Sequence, residues 1–359
     1  MVWRWNGHEY CTPAFSRALE GARSVMQLMR PRRYLLGIAL WLGAFSAGSL
    51  EVRAQVAKPE TAEVTIGLSV NDSTFLPIYL AEAAGYYKDE GLKVKVLAFR
   101  GGSDLTRALV AGSVQVAVAA PTSVLAAINA GEKVKVFYGG FNQAPFFWYA
   151  APAIKTMADV KGKRLGITRF GSSTDALTRF ALVAAKLDPN KDVRIIQGGG
   201  SGERLAALEA NQIDAGIFTW PHNFAAADRG FNLIASQSDF MPDFPIQSFF
   251  AMQTFIDKNP QTLKGVLRAF VRAVRLAKAD RDLSTKTLVS RAGLEEAYAA
   301  RAYDQLVDGW REDGRLATET GMKKFFEMAI AAGDVDREWS RAEYWDDRFA
   351  SSFKDWAPK

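Results

Sequence analysis

Residues 67–116 read GLSVNDSTFLPIYLAEAAGYYKDEGLKVKVLAFRGGSDLTRALVAGSVQV, and residues 166–215 repeat their pattern without a gap at an offset of about 99. Gly67-Leu68-Ser69 answers to Gly166-Ile167-Thr168, and the polar turn at Ser73-Thr74 to Ser172-Ser173. Val94-Lys95-Val96 answers to Val193-Arg194-Ile195, and Gly101-Gly102-Ser103 to Gly200-Ser201-Gly202. Ala108-Leu109 matches Ala207-Leu208, and Val114-Gln115-Val116 matches Ile213-Asp214-Ala215. Each copy reads as strand, polar turn, helix, strand, Gly-rich turn, helix, strand. One such βαβαβ unit makes a lobe around a parallel sheet. Two copies predict a bilobal α/β protein with a cleft between the lobes, since units this long exceed the roughly 20–50 residues of solenoid repeats. That architecture suits a clamp on a small ligand.

In the first copy, strands are expected at Val64–Ser69, Leu92–Leu97 and Val114–Ala119, with helices at Leu76–Tyr87 and Asp104–Ala111. A helix at Ser123–Ala130 and a strand at Val134–Tyr138 follow, and a Pro-containing crossover over Asn142–Pro152 leads into the second copy. There the strands are Arg164–Thr168, Val193–Gln197 and Ala215–Phe218, and the helices Thr174–Lys186 and Arg204–Asn211. The chain crosses back near Met241-Pro242-Asp243-Phe244-Pro245, and Phe249–Gln253 rejoins the first sheet. From Asn259 onward the pattern is helical. Leu263, Val266, Leu267, Phe270, Val274 and Leu276 form a stripe behind the first-turn Pro260. Trp310, Phe325, Phe326 and Trp345 are the expected anchors of helices that brace the first lobe and cover the hinge. The expected organisation is a leader over 1–54, first lobe 55–144, second lobe 145–244, and a return strand with C-terminal helices over 245–359. The hinge is expected near Phe141–Ala144 and Asp243–Gln247.

Arg30, Arg32 and Arg33 precede an apolar run, Tyr34–Leu50, that ends in small residues and Val52-Arg53-Ala54. This order describes a secretory signal peptide cleaved near Ala54. A membrane anchor is the weaker reading, because the run falls short of the roughly 20 residues a span needs. Residues 1–28 fit no part of a signal peptide, which points to a translation start at Met26 or Met29. Cys11 is the only cysteine, so the exported chain is expected to contain no disulfide, thiol or lipid anchor. Residues 1–54 hold seven Arg and three acidic side chains; removing that surplus of four from +6 leaves +2. Nothing in so mild a balance implies a nucleic-acid surface.

Pro77-Ile78-Tyr79-Leu80-Ala81-Glu82-Ala83-Ala84-Gly85-Tyr86-Tyr87-Lys88-Asp89-Glu90-Gly91-Leu92-Lys93-Val94 resembles a signature of the ABC-importer solute-binding proteins of the nitrate, sulfonate and taurine type, which also include pyrimidine-precursor binders. The resemblance continues through Ala108-Leu109-Val110-Ala111-Gly112, Gly162-Lys163-Arg164-Leu165-Gly166-Ile167 and Ala207-Leu208-Glu209-Ala210-Asn211-Gln212-Ile213-Asp214-Ala215. It spans roughly residues 62–250. It implies the type II-like periplasmic-binding-protein fold in a soluble, monomeric, periplasmic protein that binds a small-molecule solute and delivers it to ABC transporter permease subunits. No cofactor or metal is expected.

Ligands of parallel α/β sheets sit beyond the carboxyl ends of the strands. Five turns qualify here: Asn71–Phe75, Arg100–Ser103, Ala120–Ser123, Arg169–Thr174 and Thr219–His222. Free N–H groups at a helix start, helped by Ser or Thr hydroxyls, hold an oxyanion. Thr122-Ser123 and Ser172-Ser173-Thr174 are the best such nests, with Asn71, Ser73 and Thr219 in support; plain capping is their alternative, including a capping box of Ser172 with Asp175. Arg100 and Arg169 are candidates for forked recognition of sulfonate or carboxylate, against the reading of solvated charges. Phe75, Phe170 and Trp220 are candidate walls for an apolar part of the solute, against service in the core. His222, alone of its kind after residue 54, reads as a polar surface or core residue. Gly198–Gly202 lacks the Lys-Ser/Thr of a phosphate loop and reads as a turn needing positive φ.

Two rival functions remain at this stage. An enzyme making pyrimidine precursors on the same fold would demand a reactive histidine, cysteines or a metal cluster. Asp72 and Asp175, one per lobe, are the remaining carboxylate candidates. A periplasmic sensor partner would use the same clamp as a transporter component.

Overall fold

The alternation in the two copies builds two five-stranded sheets. The computed structural model describes residues 57–359; the leader, Cys11 and the cleavage near Ala54 lie outside them. In the first sheet β1 (Glu63–Leu68), β2 (Lys93–Ala98) and β3 (Val116–Ala119) run parallel in the order β2-β1-β3. Antiparallel β10 (Pro245–Met252) and edge strand β4 (Val134–Asn142) complete it. In the second sheet β6 (Arg164–Ile167), β7 (Arg194–Gln197) and β8 (Ala215–Phe218) repeat the parallel unit as β7-β6-β8. β5 (Phe147–Ala150), antiparallel to β8, and β9 (Asn232–Ser236), antiparallel to β5, complete that one.

The internal repeat extends to strand register. Gly67 pairs with Leu97 and Gly166 with Ile196, while Ile66 pairs with Val116 and Leu165 with Ala215. Both partners of each pair shift by the same 99 positions. The matched glycines have a matched reason. A Cβ on Gly67 would stand 2.3 Å from Leu105 Cδ1, and one on Gly166 2.6 Å from Ile213 Cδ1. Each sheet accepts a large aliphatic side chain at the spot where its glycine exposes bare backbone.

The helices following these strands are α1 (Leu76–Ala83), α2 (Tyr86–Asp89), α3 (Gly102–Val110), α4 (Thr122–Asn129), α5 (Ser173–Ala184), α6 (Ser201–Glu209) and α7 (His222–Asp228). The single helix expected over Leu76–Tyr87 breaks at Gly85, whose φ is +73°. Two further elements are corrections. The expected crossover over Asn142–Pro152 contains β5, which lies between β8 and β9 with Trp148 and Ala150 fully buried. Four apolar residues covered on both faces carry no alternation from which to read a strand. The strand expected over Val134–Tyr138 runs on through Gly139-Gly140 to Asn142, because Gly139 donates to Gly314 O (2.7 Å) and leaves no room for a side chain against Arg315 O.

Beyond β10 come α8 (Gln253–Lys258), α9 (Pro260–Ala279), α10 (Arg281–Ala292), α11 (Glu296–Leu306) and α12 (Glu319–Ala332), then three single turns. The stripe of α9 is buried through Leu263, Val266, Leu267, Phe270 and Val274, and the helix lies on α1. Trp310, Phe325, Phe326 and Trp345 are all buried. Their helices reach further than the first lobe, since α12 packs on α5 of the second. Among the described residues no helix is long and apolar enough to cross a membrane.

Candidate functional site

The carboxyl ends of all six parallel strands meet on one cleft. The first lobe contributes Ser69–Phe75 positions after β1, Gly101 and Gly102 after β2, and Ala120 and Ser123 after β3. The second contributes Thr168 and Ser172–Thr174 after β6, Gly200 and Ser201 after β7, and Thr219 after β8. Phe146, Ile246 and Gln247 close one side. The cleft forms a chamber of about 550 Å³, its open mouth included.

Two buried charges face this chamber. Asp72 caps the turn Ser73–Phe75: its Oδ1 accepts from Thr74 N (3.0 Å) and Thr74 Oγ1 (2.9 Å). Its Oδ2 accepts from Thr219 Oγ1 across the cleft at 2.6 Å. Arg204, on the first turn of α6, is 1% exposed. Its Nε donates to Ile217 O (2.8 Å), and its terminal nitrogens to Thr168 Oγ1 (2.8 Å), Gly199 O and Ser201 Oγ (3.0 Å). Four of the five guanidinium donors are thus spent on neutral oxygens, which fix the three turns of the second lobe but leave the charge unneutralised at contact. Burial lowers its pKa to about 10, against the pull of Asp72 and Glu203, so it stays cationic at neutral pH. The chamber lining also takes in Gly102, Ser173, Thr174 and Ser201 at the starts of α3, α5 and α6, whose amides a helix leaves without a carbonyl of its own. Gln247, 1% exposed on β10, presents an Nε2 without a hydrogen-bond partner.

The expected ligand residues divide. Phe75, Ser123, Ser172, Ser173, Thr174 and Thr219 line the cleft. Ser73 and Trp220 instead join the lobes beside it, Ser73 Oγ donating to Trp220 O at 2.6 Å, while the Trp220 ring lies on Phe147. Arg169 reaches Asp104 of the first lobe at 3.4 Å, and Arg100 is exposed; neither faces the chamber. Asn71 is tied to Arg291 O and Tyr79 Oη. Thr122 is buried behind Ser123 with no partner for its Oγ1. Phe170 lies outside the chamber and is 48% exposed.

The expected capping box of Ser172 and Asp175 does not form. Ser172 Oγ donates to Arg169 O (2.7 Å) and lies 2.9 Å from Thr174 Oγ1. Asp175 accepts instead from Gly171 N (2.9 Å) and Arg179 Nε (2.7 Å). The Gly198–Gly202 turn does use positive φ, at Gly199 (+75°), and it also places Gly200 and Ser201 on the cleft. His222 stands behind the cleft, its Nε2 against Gly202; burial holds its pKa below the usual histidine value. Arg204 and Gln247 were not legible as site residues. One sits four residues into a helix and the other on a return strand, and only the fold turns them inward. Among the described residues no group of three or more His, Cys, Asp or Glu side chains is placed to hold a metal ion.

The family model described as NMT1/THI5 like matches residues 72–282, and the chain belongs to this family. A putative binding protein of Brucella abortus is 31% identical over 228 residues, 60% of this chain and 69% of that one. The 4-amino-5-hydroxymethyl-2-methylpyrimidine phosphate synthase of Schizosaccharomyces pombe is 27% identical over 301 residues, 79% of this chain and 80% of that one. Two solved structures share the fold. The alkanesulfonate-binding protein SsuA of Xanthomonas axonopodis pv. citri, bound to MOPS, has a TM-score of 0.66 at 22% identity, over 80% of this chain and 99% of that one. The periplasmic nitrate-binding protein NrtA of Synechocystis PCC 6803 has a TM-score of 0.69 at 16% identity, over 84% and 92%. The fold is that of the periplasmic binding proteins.

Proposed function

We propose that this member of the NMT1/THI5-like family is the solute-binding component of an ABC importer, exported to the periplasm, where it closes two lobes on a small organic anion of the sulfonate or carboxylate type and presents it to a membrane permease. The observation that carries the anion is Arg204: a fully buried cation, bonded only to neutral oxygens, facing a chamber ringed by helix starts. An anionic head entering there supplies a contact counterion, since Asp72 also faces the chamber but makes no ion pair with Arg204. Ser123 Oγ and the amides of Ser173 and Thr174 offer donors around it, Gln247 Nε2 adds another, and Phe75, Phe146 and Ile246 give the apolar wall. Because the donors come from both lobes, a solute touching both favours the closed form.

The synthase of Schizosaccharomyces pombe supports a second reading, an enzyme making a pyrimidine precursor. Against it, His222 is the sole histidine beyond residue 54 and stands outside the chamber lining. Thermal unfolding of the chain from Gln55 onward, against alkanesulfonates, carboxylates, nitrate and pyrimidines, tests the proposal. A true ligand at a hundredfold over its Kd adds about 2.7 kcal/mol, or roughly 5 °C. Arg204→Met is expected to abolish that rise. A response confined to pyrimidines, or an equal response in folded Arg204→Met, overturns the anion reading.

A further inference from the structure

Among the described residues two ion pairs cross between the lobes. Arg169 Nε approaches Asp104 at 3.4 Å without a hydrogen bond, and Asp104 is shared with Arg107. The second pair is better made. Arg301 Nη1 of α11 donates to Asp228 Oδ2 at the end of α7 (2.7 Å), and Tyr298 Oη donates to the same oxygen (3.1 Å). The guanidinium carbon of Arg301 also lies 4.2 Å from the centre of the Phe224 ring, one turn before Asp228. Bonding to Arg301 holds the Asp228 carboxyl below the usual carboxylate range, so the pair is ionised at neutral pH.

The two halves of this contact belong to different lobes. α11 packs on α10, which packs on α1, and Tyr303 Oη ties α11 to Ala277 O of α9 (2.8 Å). α7 lies against β5 and β9 of the second lobe. A gap of about 640 Å³, open solvent included, separates Leu294 and Glu295 of the α10–α11 turn from Leu205 and His222. The α10–α11 arm thus holds the second lobe through a few side chains rather than through a shared core, as a contact that makes and breaks requires.

We infer that Arg301, Tyr298, Asp228 and Phe224 form a clasp that favours the joined lobes and so sets the affinity of the chamber without lining it, an inference that rests on the reading of this protein as a clamp on a solute. The connectivity supports it. α7 starts just behind Thr219 of the chamber and ends at Asp228, while α11 touches the Ser73–Phe75 turn, whose Thr74 and Phe75 line the chamber from the first lobe. A solute that draws these turns together brings Asp228 to Arg301, and by linkage the clasp strengthens the hold on the solute. With side chains 45% and 46% exposed, the ion pair alone contributes little; the stacked ring and the second donor add to it.

Single-molecule energy transfer tests this without a solute. Dyes on Lys95→Cys of β2 and Arg194→Cys of β7, exposed positions on the outer strands of the two sheets, are carried by the full chain with Cys11→Ser. The ratio of joined to open molecules is expected to fall about three- to twentyfold in Arg301→Met, which loses both charge and stacking, and about two- to fivefold in Asp228→Asn. Exchanging the charges, Asp228→Arg with Arg301→Asp, is expected to recover part of the loss, which a merely structural role of either helix does not do. Calorimetry with butanesulfonate is expected to rank the same variants in the same order of weakening. An unchanged ratio in both folded variants, or a wild-type chain with no joined molecules, overturns the clasp and leaves the anion site standing. Failure of butanesulfonate to bind the wild type counts against the sulfonate reading of the chamber, and the energy-transfer ratios still decide the clasp.

Discussion

Replacing Thr219 by valine keeps the shape of the side chain and removes one hydroxyl. In this structure that hydroxyl donates to Asp72 Oδ2 at 2.6 Å, joining the second lobe to the first. Both residues are buried, Asp72 at 7% and Thr219 at 6% exposure, so no bulk water replaces the lost donor when the lobes are together. A hydrogen bond to a charged group contributes about 1.5–3 kcal/mol, and an unmet buried carboxylate oxygen costs at least as much. When the lobes part, water serves Asp72 in either variant. The penalty therefore falls on the closed form alone. If the solute binds through closure, as proposed, Thr219→Val is expected to raise Kd about ten- to 150-fold. X-ray scattering is expected to show a larger radius of gyration for the ligand-free variant than for wild type. Thr219→Ser retains the donor and is expected to recover most of the affinity. Calorimetry with the anion giving the largest thermal shift measures the effect. A folded Thr219→Val that binds within threefold of wild type would refute the role assigned to the cross-lobe bond.

Two further predictions concern other buried groups. Gln247→Leu removes a donor that has no partner in the protein, so affinity is expected to fall about fivefold while the ligand-free Tm stays level or rises; calorimetry paired with melting curves checks both, and a lower Tm with unchanged Kd would make Gln247 structural. Asp334 follows the Gly333 cap of α12, the helix that packs on α5, and burial together with the Asp175 charge raises its pKa to about 6, against the pull of Arg179. Its folded-state pKa lies above the unfolded one, so the favourable protonated state is held below about pH 4 and lost as pH rises through 6. Asp334→Asn is expected to stabilise the protein by about 1–2 kcal/mol at pH 7.5 and by almost nothing at pH 4, which urea titrations at the two pH values measure.

The duplication made the lobes and their parallel strands legible, because a period of about 99 residues survives side-chain drift and each turn keeps its Gly, Ser or Thr. Half-buried helices such as α9 were equally plain from their 3.6-residue stripe. β5 was not, since four residues buried on both faces have neither alternation nor length. The same contrast holds at the cleft. Hydroxyls at helix starts, Ser123 and Ser172–Thr174, follow from local position, because the strand-to-helix turn itself aims them. Arg100 and Arg169 were read as anion partners on local position too, yet the structure leaves one in solvent and gives the other to Asp104.

Sequence alone determined that two copies of one βαβαβ unit face each other, since local propensity and repeat spacing act within each copy. Only the tertiary structure decided which charges the cleft holds. Arg204 and Asp72 are ordinary residues of a helix and a cap until the two lobes exclude water around them, and that exclusion depends on contacts between segments some 130–150 positions apart. Burial makes the guanidinium one of the two charges, with Asp72, that the chamber presents. No pattern in either copy could announce it, because desolvation is a property of the assembled surfaces and not of any one stretch of chain.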